Sequence, residues 1–135
     1  MLVPALNALS RRRGLAGPLQ VDAFKLSHHG SRANVTQELM RAVQAEHHVF
    51  STNGAQFGHP NDEAVARVIV GSKRPTLWFN YATERNPRWA EPALQAKYGY
   101  QVRSPESGLG GVTVEIAARV GAVAHAATVA EPNRR

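Results

Sequence analysis

Hydrophobic and polar positions along the chain switch repeatedly between a helical and a strand period, which predicts alternating helices and strands. Leu2, Val3, Leu6 and Leu9 recur at helical spacing, and Arg11, Arg12 and Arg13 then occupy a last turn, where cations complement the helix dipole. Gly14, Gly17 and Pro18 end that helix. Residues 20–27 predict a strand that is apolar on both faces, as in a parallel sheet covered by helices. Asn34 or Thr36 caps a following helix that runs to about His47, with Leu39, Met40 and Val43 facing inward. Residues 48–52 form a second strand. Asn61 caps the next helix, with Asp62 and Glu63 in its first turn and Val65, Val68 and Ile69 as its buried stripe. Residues 71–75 break it, and a third strand covers 76–81. A short helix over 89–98 and a short extended segment over 100–103 follow. Residues 112–116 alternate and predict an edge or antiparallel strand. From about Gly121 the composition shifts to Ala, Val and Thr, which predicts a poorly ordered tail over 119–135.

Composition narrows the class. At 135 residues, with 43% hydrophobic and 19% charged, the chain suits a single folded body rather than a disordered one. No apolar run approaches the roughly 20 residues that cross a bilayer. The start, Met1-Leu2-Val3-Pro4, lacks the charged and apolar regions of a secretory signal. No cysteine is present, which removes disulfides and thiolate-bound zinc and makes a cytoplasmic location the default expectation. The formal charge of +6 is compatible with a polyanionic partner, nucleic acid included. Five of the 16 basic residues, however, sit in the runs Arg11–Arg13 and Arg134–Arg135, which suit solvated helix ends and tails.

Candidate chemistry lies in two polar loops behind predicted strands. The first is Ser27-His28-His29-Gly30-Ser31 and the second runs from Ser51-Thr52-Asn53-Gly54 to Phe57-Gly58-His59-Pro60. On a strand end, neighbours face opposite sides, so one of His28 and His29 reaches a metal site while the other supports it or meets substrate. Two ordinary histidines bonded to backbone or solvent are the plainer alternative. Ser31 either donates to a phosphate oxygen or starts a turn. His59, between a glycine and a proline, suits a general acid, a phosphate donor or an outer metal ligand, or else a histidine of the capping region. Asn53 positions substrate or simply makes the Asn-Gly turn. His47 and His48 fall at a helix-to-strand junction on the opposite rim and take a structural role, and His125 in the tail takes none. Trp78, Phe79 and Tyr81 are core and rim packing, with an aromatic platform for bases as the weaker alternative.

The string Val-Asp-Ala-Phe-Lys-Leu-Ser-His-His-Gly-Ser, followed by a helix and a strand running into Ser-Thr-Asn-Gly and Gly-His-Pro, resembles the C-terminal part of metallo-β-lactamase-fold hydrolases. The branch it resembles contains the hydrolase domain of the competence DNA-uptake channel protein and soluble relatives. The resemblance covers roughly residues 1–118 and implies the C-terminal half of an αββα sandwich with a divalent-metal site, zinc or manganese, at the sheet rim. It implies a phosphodiesterase- or nuclease-like activity, His28 and His29 as the last metal-ligand motif, and His59 as a group that contacts the scissile phosphate or protonates the leaving group. The family's His-x-His-x-Asp-His motif, its third-motif histidine and its bridging Gly-Asp are absent from this sequence. The expectation is therefore a chain that is inactive alone and needs an N-terminal half or a partner chain to complete the cation cage. The other reading is a non-catalytic half-domain that binds a partner or nucleic acid.

Overall fold

The computed structural model describes residues 2–106 and 110–117. Helix α1 (Leu2–Arg12) leads into β1 (Leu19–Lys25), a tight turn at Ser27–Gly30, α2 (Gln37–Ala42) and β2 (Val43–Phe50). Then follow α3 (Asp62–Gly71), β3 (Thr76–Phe79), a short turn of helix at Pro87–Ala90, α4 (Pro92–Tyr98) and β4 (Gln101–Arg103). The four strands form one sheet in the order β1-β2-β3-β4, and every neighbouring pair is parallel. Each of β1, β2 and β3 is thus followed by a helix that returns the chain to the same end. The architecture is α/β, with four α-helices among the described residues.

The helix starts follow their capping chemistry. Thr36 caps α2, its hydroxyl accepting the Leu39 N–H at 3.1 Å. Asp62 and Glu63 occupy the first turn of α3, whose buried residues are Ala64, Val65, Val68 and Ile69. Gly99, left-handed at φ 68°, closes α4 with its N–H on the Gln95 carbonyl.

One face of the sheet carries the core. Leu26, Phe50, Leu77 and Phe79 pack there with Val65, Val68 and Ile69 of α3, Met40 of α2 and Tyr100, and Leu94 of α4 closes the edge. Phe50 and Phe79 stack at 4.9 Å between ring centroids. The opposite face is covered unevenly. Leu19, Val43 and Ala45 are buried at the strand starts, the end of the sheet next to which α1 packs on β1 and α2. Further along, Ala23, His47, Val49, Thr76 and Trp78 are only half-buried. Parallel sheets are ordinarily covered on both faces. The expectation of two apolar, helix-covered faces therefore holds here for one face only.

Three other expectations are corrected. The second helix ends at Ala42, not near His47, because Val43, Gln44 and Ala45 pair with Leu19, Gln20 and Val21 in the sheet. The second strand accordingly begins at Val43, and His47 and His48 lie inside it rather than at a junction. Residues 112–116 form no strand; among the described residues, an isolated antiparallel bridge joins Tyr81 to Gly110 just before them. The expected tail over 119–135, with His125, lies outside the described residues.

Candidate functional site

In a sheet whose strands all run the same way, the loops after the strands gather at one rim, where open α/β sheets bind their ligands. His28 and His29 follow β1, residues 51–59 follow β2, and residues 80–86 follow β3. The first two loops meet. The His28 and His59 rings lie 5.6 Å apart edge to face, and the His28 and His29 rings lie 6.3 Å apart. Phe57, largely exposed, flanks His59 at 6.0 Å.

The histidine loop is not a strand end. β1 stops at Lys25, and both His28 (φ 50°) and His29 (φ 58°) take the left-handed conformation that L side chains disfavour. Strand alternation therefore does not govern where the two imidazoles point, which removes the premise used to separate their roles. Two such residues in a row cost of order 1–3 kcal/mol each and persist only when their surroundings hold them. The holding contacts are visible. Ser31 N–H donates to the His28 carbonyl, and Asn61 N–H donates to the Gly30 carbonyl, both at 3.0 Å. Gly30 (φ 83°) lies so close to Phe50 and Pro60 that a Cβ there would meet each at 2.8 Å.

Asn61 ties the two loops together. It stands at the N-cap position of α3, as its sequence context predicts, but its side chain makes no cap hydrogen bond. Its Oδ1 instead accepts the Arg32 N–H at 2.9 Å. The first turn of α3 carries its acids to the same place: Glu63 pairs with Arg32 at 3.1 Å, and Asp62 pairs with Arg88.

His29 has a defined tautomer. Its Nδ1 lies 2.5 Å from the Ser51 carbonyl, which can only accept, so Nδ1 carries a hydrogen and, in the neutral ring, Nε2 presents a lone pair. Backbone-oriented imidazoles of this kind are the usual metal-ligating form. His59 is different. Its Nδ1 is buried with no hydrogen-bond partner. Burial foremost, then the neighbouring His28 and His29, hold its pKa below the ordinary histidine value, against a smaller opposing effect of the Asn61 side chain. The charged form of His59 is thereby disfavoured relative to a free imidazole.

The remaining sequence-selected residues serve their own turns. Ser31 is buried and its hydroxyl accepts the Ala33 N–H at 3.3 Å. Asn53 is exposed and its Oδ1 accepts the Ala55 N–H at 3.0 Å, an Asx turn. His48, wholly buried, faces Phe24 with its Nε2 3.3 Å from the Ser72 hydroxyl. His47 lies on the open face, where its Nδ1 accepts the Trp78 indole N–H at 3.1 Å.

Two contributors escaped the sequence reading. Asn80, just past β3, accepts the Thr52 N–H at 2.8 Å and donates to the Ser51 hydroxyl at 3.2 Å, so it fixes the loop whose carbonyl orients His29. A polar residue closing a buried apolar strand was its signal. Arg85 lies against Gly58, beside His59, with its guanidinium nitrogen 3.3 Å from where a Cβ would stand. Nothing in the local sequence points to that contact, which spans 27 residues.

The residues present do not amount to a zinc or manganese site. Among the described residues no three His, Asp or Glu side chains are placed to share a cation, and the cluster itself is all imidazole. Zinc would need at least three ligands converging on one point, and manganese would need carboxylates among them. A surface depression of about 350 Å³ lies elsewhere, between α1, the loop before β1 and Arg41 of α2. No family model, curated protein or solved structure shows significant similarity to the chain.

Proposed function

We propose that this chain is the C-terminal part of a metal-dependent hydrolase of the metallo-β-lactamase type, phosphodiesterase- or nuclease-like, that is inactive by itself. In this reading the present layer is one half of an αββα sandwich. An N-terminal half or a partner chain supplies the carboxylates and further imidazoles of the cation cage and covers the open sheet face. His29, with Nε2 free, is the ligand this chain contributes, while His28 and His59 face the substrate.

One observation carries the reading: imidazoles 31 positions apart in sequence stand 5.6 Å apart at the ligand-binding rim of a parallel sheet. The fixed tautomer of His29 and the strained, over-determined backbone beneath it add to it, because strain of this kind gathers at functional sites. The test uses the protein as its source cells make it, with any covalent extension or bound partner. Metal content and hydrolysis of a chromogenic phosphodiester are measured for the wild type, His29→Ala and His59→Ala. His29→Ala is expected to lose bound metal and activity, and His59→Ala to lose activity while keeping metal. Undiminished turnover in both variants refutes the assignment.

A second reading, a half-domain without catalysis, rests on the open face. Lys25, Val49, Trp78 and Arg103 stand side by side across all four strands, an apolar centre with a cation at each edge. It predicts that Trp78→Glu abolishes association with the companion layer or with nucleic acid, while substitutions at His29 and His59 leave that association unchanged.

A further inference from the structure

The rim has a cation that no role described so far uses. Arg85 sits in the loop between β3 and the turn at Pro87–Ala90, and that loop is anchored rather than loose. Asn86 is 5% exposed, its side chain donates to the Tyr81 carbonyl at 2.8 Å, and its carbonyl receives the Trp89 N–H. The neighbouring residue is thereby delivered to the second histidine loop, where Arg85 Nη2, Cζ and Nη1 come within 3.3, 3.5 and 3.8 Å of the position a Gly58 Cβ would take. Gly58 is left-handed (φ 62°) and is followed directly by His59. A Cβ at position 58 would crowd the guanidinium, which would have to give way slightly.

Other arginines of this region are committed. Arg32 pairs with Glu63, Arg88 with Asp62, and Arg67 donates to the carbonyls of Arg32 and Val35. Arg85 is exposed and, among the described residues, has no ion pair or hydrogen bond. The acids at the start of α3, Asp62 and Glu63, are already neutralised by their partners, so they do not compete for it. A guanidinium without a counter-ion, held against the residue that directly precedes His59, offers a planar fork suited to two oxygens of one phosphoryl group.

We propose that Arg85, on the Gly58–His59 loop, forms with His59 and His28 an anion cradle that grips a phosphoryl group of the substrate. The cradle lies within this chain and needs no second half. It deepens the phosphodiesterase reading by assigning Arg85 as the cation that holds the phosphoryl group; it rests on that reading only for the identity of the natural ligand.

The experiment is a titration of the metal-free chain, in the presence of chelator, with dimethyl phosphate and separately with inorganic phosphate, following backbone amide resonances. The wild type is expected to show saturable shifts at Gly58 and His59. Arg85→Ala weakens binding about tenfold or more, as loss of a charge-assisted bond implies, and Arg85→Lys retains part of it as a point charge without the fork. Arg12→Ala, which removes one charge at the end of α1 on the opposite rim, leaves binding unchanged. Binding of dimethyl phosphate identifies a diester as an acceptable ligand; binding of inorganic phosphate alone restricts the cradle to monoesters. Absence of saturable shifts in the wild type, equal binding by Arg85→Ala, or an equal loss in Arg12→Ala each overturns the cradle. Because chelator is present throughout, these outcomes are independent of the metal and turnover measurements that test the hydrolase reading.

Discussion

Burial that disfavours a charged imidazole makes acid the enemy of this fold, and His48 lets the size of the effect be worked out. Its side chain is inaccessible, faces Phe24 and stands beside Leu77 in the neighbouring strand, and has one unpartnered nitrogen, Nδ1. Burial first, and the adjacent His47 second, lower its pKa from 6.5 to about 4. Below pH 6.5 the unfolded chain therefore binds a proton that the folded chain refuses. Stability present above pH 6.5 is lost as the pH falls toward 4, and the loss levels off below that. At 1.36 kcal/mol per pKa unit, a difference of roughly 2.5 units implies a loss of about 3 kcal/mol between pH 7.5 and pH 4. A loss of that size is a large share of the stability of a small domain. Replacing His48 with Leu removes the titration at similar volume. It forfeits the 3.3 Å contact with Ser72 but also the desolvated Nδ1, so at pH 7.5 the change is expected within about 1 kcal/mol. Urea unfolding from pH 4 to 8, followed by the fluorescence of Trp78 and Trp89, gives both curves. The His48→Leu advantage should grow by about 3 kcal/mol on going to pH 4. Stability curves that stay parallel refute the argument; contributions from His59 are common to both proteins and cancel in the difference.

Three further outcomes follow from the rim. Gly30→Ala puts a methyl group 2.8 Å from Phe50 and Pro60 at a positive φ, so a loss of about 2–4 kcal/mol is expected in the same urea assay. His28→Gly relieves a left-handed backbone and should raise stability by about 1 kcal/mol, with phosphodiester hydrolysis by the assembled protein falling at the same time. Asn61→Ala cuts the tie to the Arg32 amide and should cost about 1–2 kcal/mol, with faster hydrogen exchange at Arg32 as the local sign.

Much of the order of elements was legible because it depends on local chemistry. The Thr36 cap, the acids opening α3 and its Val65, Val68 and Ile69 stripe are short-range features, and the structure places them as the pattern implies. The border between α2 and β2 was not legible. Gln44 to His47 continue a helical pattern as well as a strand pattern, and only the pairing of Val43–Ala45 with Leu19–Val21 decides between them. Residues 112–116 show the converse: alternation alone does not make a strand when the segment pairs with no edge of the sheet. At the rim, the two histidine loops stood out by composition, but their mode of union did not. An asparagine at an N-cap position reads as a cap, yet Asn61 gives its oxygen to a residue 29 positions earlier. Asn80 and Arg85 act across similar separations, beyond the reach of any window of sequence.

The knot made by Gly30, Arg32 and Asn61 sets where conformational freedom is spent when a ligand arrives. Because the imidazole-bearing loops are bonded to each other and to the start of α3, neither has to be frozen at the moment of docking. The ordering cost of assembly falls on the incoming molecule or segment alone, which favours slow release over fast capture as the means by which affinity at this ledge is tuned.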